Sequence, residues 1–126
     1  MLRLIPLFLM ALAACGAHDH SHDFNEIQRW KNKGNRIFLV EIPYNVTEKE
    51  VKQYGDGRPD AEGVYTAVYF YMEGSKVPGI SARYRWDYSK VSEYIHSKGF
   101  DRYTYRYVRS PNSEISFSLA DPSDFP

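Results

Sequence analysis

Arg36-Ile-Phe-Leu-Val-Glu-Ile42 is the stretch of this chain that decides the fold. It is a nearly continuous apolar run, bounded by Gly34-Asn35 on one side and by Pro43 on the other. A strand with one solvated face alternates apolar and polar residues, whereas a strand buried on both faces is apolar throughout. The stretch therefore predicts a strand that is buried on both faces and lies at the centre of a sheet.

Four more strands are predicted from apolar and polar side chains that alternate along the chain. They cover residues 64–72, 80–86, 102–109 and 115–119. Gly74, Pro78 and Gly79 lie between the first two of these segments and are typical turn residues, so residues 64–72 and 80–86 are expected to form a hairpin.

The most clearly marked helix begins after the central strand. Thr47 and Glu50 have the spacing of a capping box, and Val46 and Val51 have that of the accompanying hydrophobic staple. This pattern predicts a helix that runs to about Tyr54. A loop follows over residues 55–63, which are rich in glycine and include a proline.

Two further helices are predicted on either side of these elements. Asp23 and Glu26 form a second capping pair, and the apolar residues that follow suit one helical face up to Gly34. Asp87 is a typical N-cap for a third helix, and Lys98-Gly99 is a good signal for its end.

The order of these elements predicts an α+β domain. The pattern suits a two-layer fold with a mostly antiparallel sheet and helices on one face, ferredoxin-like or related, with one extra strand. A single globular domain is expected over residues 23–126.

The composition limits the classes of function. The 16 basic and 16 acidic residues balance, which argues against binding a polyanion through bulk charge and predicts no nucleic-acid partner. No motif of a known catalytic site appears, and His96 is expected to be an exposed helix residue. We therefore expect a protein that is not an enzyme.

The first fourteen residues look like an export signal. Arg3 gives a positive start, residues 4–12 form an apolar run, and Ala13-Ala14 are the small residues that precede a cleavage site. A membrane-spanning helix needs about 20 apolar residues, so this run is too short to span.

Leu12-Ala13-Ala14-Cys15 resembles the lipobox of bacterial lipoproteins. The resemblance implies that residues 1–14 are a signal peptide and that Cys15 becomes the first residue, with a diacylglycerol thioether on its sulfur and an acyl chain on its amine. Gly16 resembles the pattern sorted to the outer membrane, which implies a domain facing the periplasm. An ordinary secretory signal that happens to contain a cysteine is the alternative.

Residues 15–22 are expected to be a polar tether between the lipid and the domain. His18, His20 and His22 lie in it beside two aspartates, and imidazole and carboxylate groups are zinc ligands. A weak zinc site on the tether is therefore one hypothesis. A solvated linker without metal is the other.

A second candidate site lies on the predicted sheet. If the side of the sheet that carries Val68 packs under the helices, the opposite side is left open and is rich in tyrosine and arginine. Both residue types are enriched at protein interfaces, so this face is predicted to bind an envelope protein. Its residues are Tyr65, Tyr69, Tyr71, Arg83, Arg85, Arg102 and Arg106. If the strand over residues 102–109 is turned over, its tyrosines replace its arginines. The other interpretation is that cross-strand Tyr/Arg pairs simply cover the open side of the sheet.

Overall fold

A computed structural model describes residues 23–59 and 61–120, which form a five-stranded sheet with two helices. The strands are β1 (Asn25–Asn32), β2 (Asn35–Ile42), β3 (Thr66–Met72), β4 (Tyr105–Arg109) and β5 (Ile115–Leu119). The helices are α1 (Glu48–Asp56) and α2 (Tyr88–Ile95). The predicted α+β class is confirmed.

The strands lie in the sheet in the order of the sequence, β1-β2-β3-β4-β5. Only β2 and β3 pair in parallel, with α1 as their crossover, and the other three neighbouring pairs are antiparallel. The mostly antiparallel sheet is thus confirmed. The ferredoxin-like arrangement is wrong, because in a split βαβ unit another strand separates the parallel pair, whereas β2 and β3 are bonded directly to each other.

Both faces of the sheet are buried, each under one helix. Phe38, Val40, Val68 and Phe70 pack with Val51 of α1. The opposite face packs with α2 through a separate set of residues, including Ile37, Leu39, Ala67, Val91 and Ile95. The prediction of helices on one face is therefore wrong. The prediction that β2 is buried on both faces is confirmed, because a strand apolar on both faces requires cover on both.

The segment predicted as the first helix is strand β1. It forms a hairpin with β2 through Lys33 and Gly34, whose φ angles of 53° and 85° are both positive. Two positive φ angles in a two-residue loop suit the right-handed twist of a hairpin. Pairing with β2 therefore outweighs the helical pattern that was predicted to begin at the capping pair Asp23 and Glu26.

The segment predicted as the strand over residues 80–86 has no strand structure. Residues 73–87, here called the covering segment, cross the α2 face of the sheet as a series of turns, and Ile80 is buried beneath them. Two of these turns are closed by hydrogen bonds from Arg83 N to Ile80 O and from Trp86 N to Arg83 O, both 3.0 Å.

Side chains of β1 hold the covering segment in place. Gln28 Oε1 accepts hydrogen bonds from the backbone of Ile80 and Ser81 at 3.2 Å each. Trp30 Nε1 donates to the carbonyl of Arg83 at 2.8 Å, and further along the strand Asn32 Nδ2 donates to the next turn. The backbone groups of this segment are thus bonded to side chains rather than to a neighbouring strand.

The other two predicted helix starts are confirmed. Thr47 and Glu50 form the capping box of α1, and Asp87 caps α2 by accepting a hydrogen bond from Lys90 N at 2.8 Å. Gly55 lets α1 approach β4, because a Cβ atom at this position would overlap the ring of Tyr107. This close approach sets the position of the C-terminal end of α1 over the sheet.

Candidate functional site

The predicted tyrosine and arginine face is not an open surface. Tyr69 and Tyr71 are fully buried, because α2 and the covering segment lie over them. Tyr65 is 37% exposed, and its ring stacks on Tyr88 with a centroid distance of 4.5 Å. The strand was predicted with the correct alternation, but the side taken to be open is part of the core.

The predicted arginines are divided between different layers. Arg83 belongs to the covering segment, where its guanidinium lies 4.5 Å from the ring of Trp86 and 4.3 Å from that of Tyr94. Its Nη2 also donates to the Tyr94 hydroxyl at 3.0 Å. Arg106 is half-buried on β4, and its guanidinium lies 5.8 Å from the ring of Tyr69. Arg85 and Arg102 are exposed.

His96 is half-buried rather than exposed. One ring nitrogen, Nε2, lies 2.8 Å from the Tyr103 hydroxyl, and Nδ1 lies 2.7 Å from the carbonyl of Ser92. Tyr69 and Tyr103 both contact the imidazole edge to face. These contacts make His96 part of the aromatic packing around the end of α2.

A different cluster of positive charge forms a concave site on the α1 side of the sheet. We call it the cationic cleft, and its volume is about 280 Å³. Its lining residues are Arg29, Lys31, Arg36, Phe38, Arg58 and Pro59.

The hairpin register brings the strand residues of the cleft together. Arg29 lies opposite Phe38, and Lys31 lies opposite Arg36. Alternate residues of a strand share a face, so all four side chains belong to the same side of the sheet. The end of α1 then adds Arg58, whose guanidinium lies over the Phe38 ring at 4.5 Å.

Arg58 is fixed by contacts on several sides. Its Nη1 lies 3.2 Å from Glu26 Oε1, Nη2 donates to the Tyr54 hydroxyl, and the guanidinium also lies 4.8 Å from the Tyr54 ring. The side chain is only 18% exposed. Glu26 also pairs with Arg29 at 2.9 Å, so one carboxylate orients two of the arginines.

Arg36 ties the loop after α1 to the sheet. Its Nη2 donates to Pro59 O at 2.7 Å and to Thr66 Oγ1 at 2.5 Å. Arg109, which is buried, reaches the same loop and donates to Arg58 O at 3.1 Å. The wall of the cleft is thus anchored by two arginines, one on β2 and one on β4.

A hydrogen-bonded group beside the cleft holds the end of α1 to β4. Tyr107 donates to Asp56 Oδ1 at 2.8 Å and accepts from Arg109 at 3.2 Å. Hydrogen bonds from Lys52 and Tyr107 lower the pKa of Asp56 below its ordinary value. Burial, followed by the bond to Asp56, raises the pKa of Tyr107. Both shifts favour an ionised Asp56 and a neutral Tyr107.

The cleft is not predicted by the sequence pattern, because the segment that forms β1 has the spacing of a helix. In a strand, Arg29 and Lys31 alternate with Trp30, so their side chains lie on one face. The positive φ turn at Lys33-Gly34 then sets them opposite β2. The turn was the signal available in the sequence, although glycine at its second position was interpreted as a helix end.

The edge strand β5 is a second exposed feature. Ile115 and Leu119 are 48% and 60% exposed, and Phe117 between them stacks on Tyr105 with centroids 5.8 Å apart. These three residues share one face of the strand. Within the described residues, β5 has a hydrogen-bonded neighbour on one side only, namely β4.

The backbone of β5 directs alternate N–H groups to its outer edge. Ala120 N donates to Thr104 O, and Ser110 N donates to Glu114 O, so the even-numbered residues face β4. Backbone groups alternate in direction along an antiparallel strand. The N–H groups of Ile115, Phe117 and Leu119 therefore point away from the sheet.

Comparison of the chain with protein-family models, with curated proteins and with solved structures gives no significant match in any of the three. Cys15, His18, His20 and His22 lie outside the described residues. Across residues 23–59 and 61–120, no helix is long and apolar enough to cross a membrane. The same residues contain no group of three or more His, Cys, Asp or Glu side chains that could hold a metal ion.

Proposed function

We propose that this chain is a bacterial lipoprotein whose single domain faces the periplasm, carries no enzymatic activity and binds another envelope protein. The lipobox-like Leu12-Ala13-Ala14-Cys15 supports the anchor. The predicted tyrosine and arginine face no longer supports the binding site, because its tyrosines are largely inside the core.

The observation that carries the binding proposal is the outer edge of β5. A free edge offers a row of backbone N–H and C=O groups to which another extended chain can add as a further strand. Backbone bonds supply affinity in this mode, and alternate side chains supply specificity. The partner is therefore an extended segment with apolar side chains that meet Ile115, Phe117 and Leu119.

Proline substitution tests the edge directly. Leu119→Pro removes one outward N–H and leaves the bonds to β4 in place, whereas the matched control Leu119→Ala keeps that N–H and removes only the side chain. Each is introduced into a bacterial strain that carries a photo-crosslinking residue at Ser116. We expect one cross-linked envelope protein, lost in Leu119→Pro and retained at a reduced yield in Leu119→Ala, which keeps the outward N–H but removes one side-chain contact.

The position of the cross-link in the partner decides the result. Attachment within an extended segment of a different protein supports strand addition at β5. A cross-link only to a second copy of this chain, or equal yields from the proline and alanine variants, would contradict it.

The anchor has its own test. Intact-mass analysis of the native product is expected to show a chain that begins at Cys15 with added acyl mass, and Cys15→Ser is expected to abolish that mass. A native chain that begins at Met1 with no added mass would rule out the lipoprotein proposal.

The histidines of the tether favour a second candidate function, the capture of zinc. Calorimetry of the full chain with zinc is expected to show binding heat that disappears when His18, His20 and His22 are all replaced by alanine. Equal heats in the two proteins would exclude the tether as a metal site.

A further inference from the structure

We propose that the cationic cleft is a binding site for a phosphate group. Arg29, Lys31, Arg36 and Arg58 come from three separate segments and converge on one concave site of about 280 Å³. The sequence as a whole has no net charge, so this positive cluster is a local feature of the fold rather than a result of composition.

The donor groups suit an oxyanion. Guanidinium groups bind phosphate and carboxylate oxygens through paired N–H bonds, and a lysine ammonium adds a compact charge with three donors. Arg29 is 64% exposed, so its guanidinium can contact a ligand while Glu26 holds one side of it. Glu26 does not line the cleft, and it orients both Arg29 and Arg58.

The cationic side chains that line the cleft come from three segments, and this spread favours phosphate over carboxylate as the ligand. Arg29 and Lys31 approach from β1, Arg36 from β2 and Arg58 from the loop after α1. A carboxylate presents two oxygens in one plane, whereas a phosphate presents oxygens in several directions and carries up to two charges. A cleft lined by cations from three segments is therefore better matched by the tetrahedral anion.

The size of the cleft limits the ligand. Pockets for drug-sized molecules are roughly 300 to 1,000 Å³, and this cleft, at about 280 Å³, is slightly smaller than that range. It can hold a phosphate with little attached to it, such as inorganic phosphate or the glycerophosphate part of an anionic lipid. Both sources share the same chemistry at the cleft.

A titration of the full chain in detergent tests the proposal. NMR spectra are recorded with increasing inorganic phosphate at constant ionic strength, and in parallel with acetate. We expect saturable chemical-shift changes at Lys31 and Arg58. The dissociation constant is expected to be on the order of millimolar, as for other weakly bound single anions. Acetate is expected to bind at least about tenfold more weakly, since it has one charge and one plane of oxygens.

Two variants show whether the residues of the cleft bind the phosphate. The double variant Arg29→Gln with Lys31→Gln alters exposed side chains and removes two charges, so phosphate affinity is expected to fall at least about tenfold. Lys49→Gln is the matched control, because Lys49 is an exposed cation on α1 outside the cleft. It is expected to change the affinity less than about twofold.

A third titration with a soluble short-chain phosphatidylglycerol separates the two sources. If it competes with inorganic phosphate, the cleft accepts a lipid headgroup; if only inorganic phosphate binds, the cleft takes a soluble phosphate, and both results support the site. Shifts that do not saturate, or that are equally reduced by Lys49→Gln, would overturn it. The outcome is independent of β5, whose cross-linking does not involve any cleft residue.

Discussion

The two edge strands of the sheet, β1 and β5, differ in how far other parts of the protein cover them. β1 has eight residues and a bulge between Glu26 and Gln28, carries the charged side chains of Arg29 and Lys31, and binds the covering segment through other side chains. β5 has five residues and exposes Ile115 and Leu119. Bulges, charges and cover are the usual means by which proteins prevent an edge from pairing with another chain.

The difference shows what each edge contributes. At β1 the side chains form long-range contacts that close the core, so this edge supports stability. At β5 half-buried Phe117 is the deepest apolar contact, and the outward N–H groups remain accessible within the described part of the chain. We therefore expect mutations at β1 to affect folding and mutations at β5 to affect binding.

The largest expected effect compares one aromatic residue from each edge. Trp30 is 1% exposed and donates to the Arg83 carbonyl, so Trp30→Ala is expected to lower the free energy of unfolding by about 3 to 5 kcal/mol. Phe117 is only half-buried, and Phe117→Ala is expected to cost about 1 to 2 kcal/mol. Urea denaturation measures both values, and equal losses would remove the distinction between the edges.

The next effect concerns a polar contact of β1. Gln28 Oε1 accepts bonds from Ile80 N, Ser81 N and Ser81 Oγ, so Gln28→Ala leaves these donors without that acceptor. The expected loss is about 1 to 3 kcal/mol. On β5, Ser118→Ala is expected to change stability by no more than about 0.5 kcal/mol. Gln28→Glu keeps an acceptor and serves as the control. If it lowers the free energy of unfolding as much as Gln28→Ala does, the hydrogen bonds to Oε1 are not the cause of the loss.

The same contrast explains what the sequence could predict. The apolar run of β2, the capping box of α1 and the Asp87 cap of α2 are local patterns, and each of the three predicted its element correctly. Strand β1 was not, because the spacing of Ile27 and Trp30 suits one face of a helix as well as a bulged strand. Only pairing with β2 distinguishes the two structures.

The candidate sites depended on contacts far apart in the sequence. Tyr69 and Tyr71 were placed on the correct side of β3, but that side is closed by a segment whose backbone bonds to Gln28 and Trp30. Alternation within one strand contains no information about this cover. The cleft likewise requires the register that sets Arg29 against Phe38.

A smaller effect tests how completely the covering segment excludes water from the α2 face of the sheet. Among the described residues, the buried hydroxyl of Tyr71 has no hydrogen-bond partner, so Tyr71→Phe is expected to raise stability by about 1 kcal/mol. Burial also raises the pKa of Tyr71 well above its ordinary value of 10.0. The unfolded chain therefore loses this proton first as the pH rises above about 10, and the folded state loses stability there.

Alkaline denaturation checks both parts of this prediction. Tyr71→Phe is expected to unfold at a higher pH than the unaltered protein, while Tyr65→Phe, at a partly exposed position, serves as the control. If Tyr71→Phe destabilised the protein at neutral pH, its hydroxyl would have a partner, and the face closed by the β1 contacts would not be sealed.

The smallest effect comes from the turns that lead into the two edges. Lys33 in the β1–β2 turn and Ser113 in the β4–β5 turn have φ angles of 53° and 66°, a conformation that costs a residue with a side chain roughly 1 kcal/mol. Lys33→Gly and Ser113→Gly relieve this cost but give the unfolded chain more freedom, so a net gain of about 0.5 kcal/mol is expected at each. Urea midpoints with unchanged slopes measure it. Both residues have a positive φ, so equal gains would show that the two edges differ through the side chains of their strands. A gain at one turn alone would place part of the difference in the turns themselves.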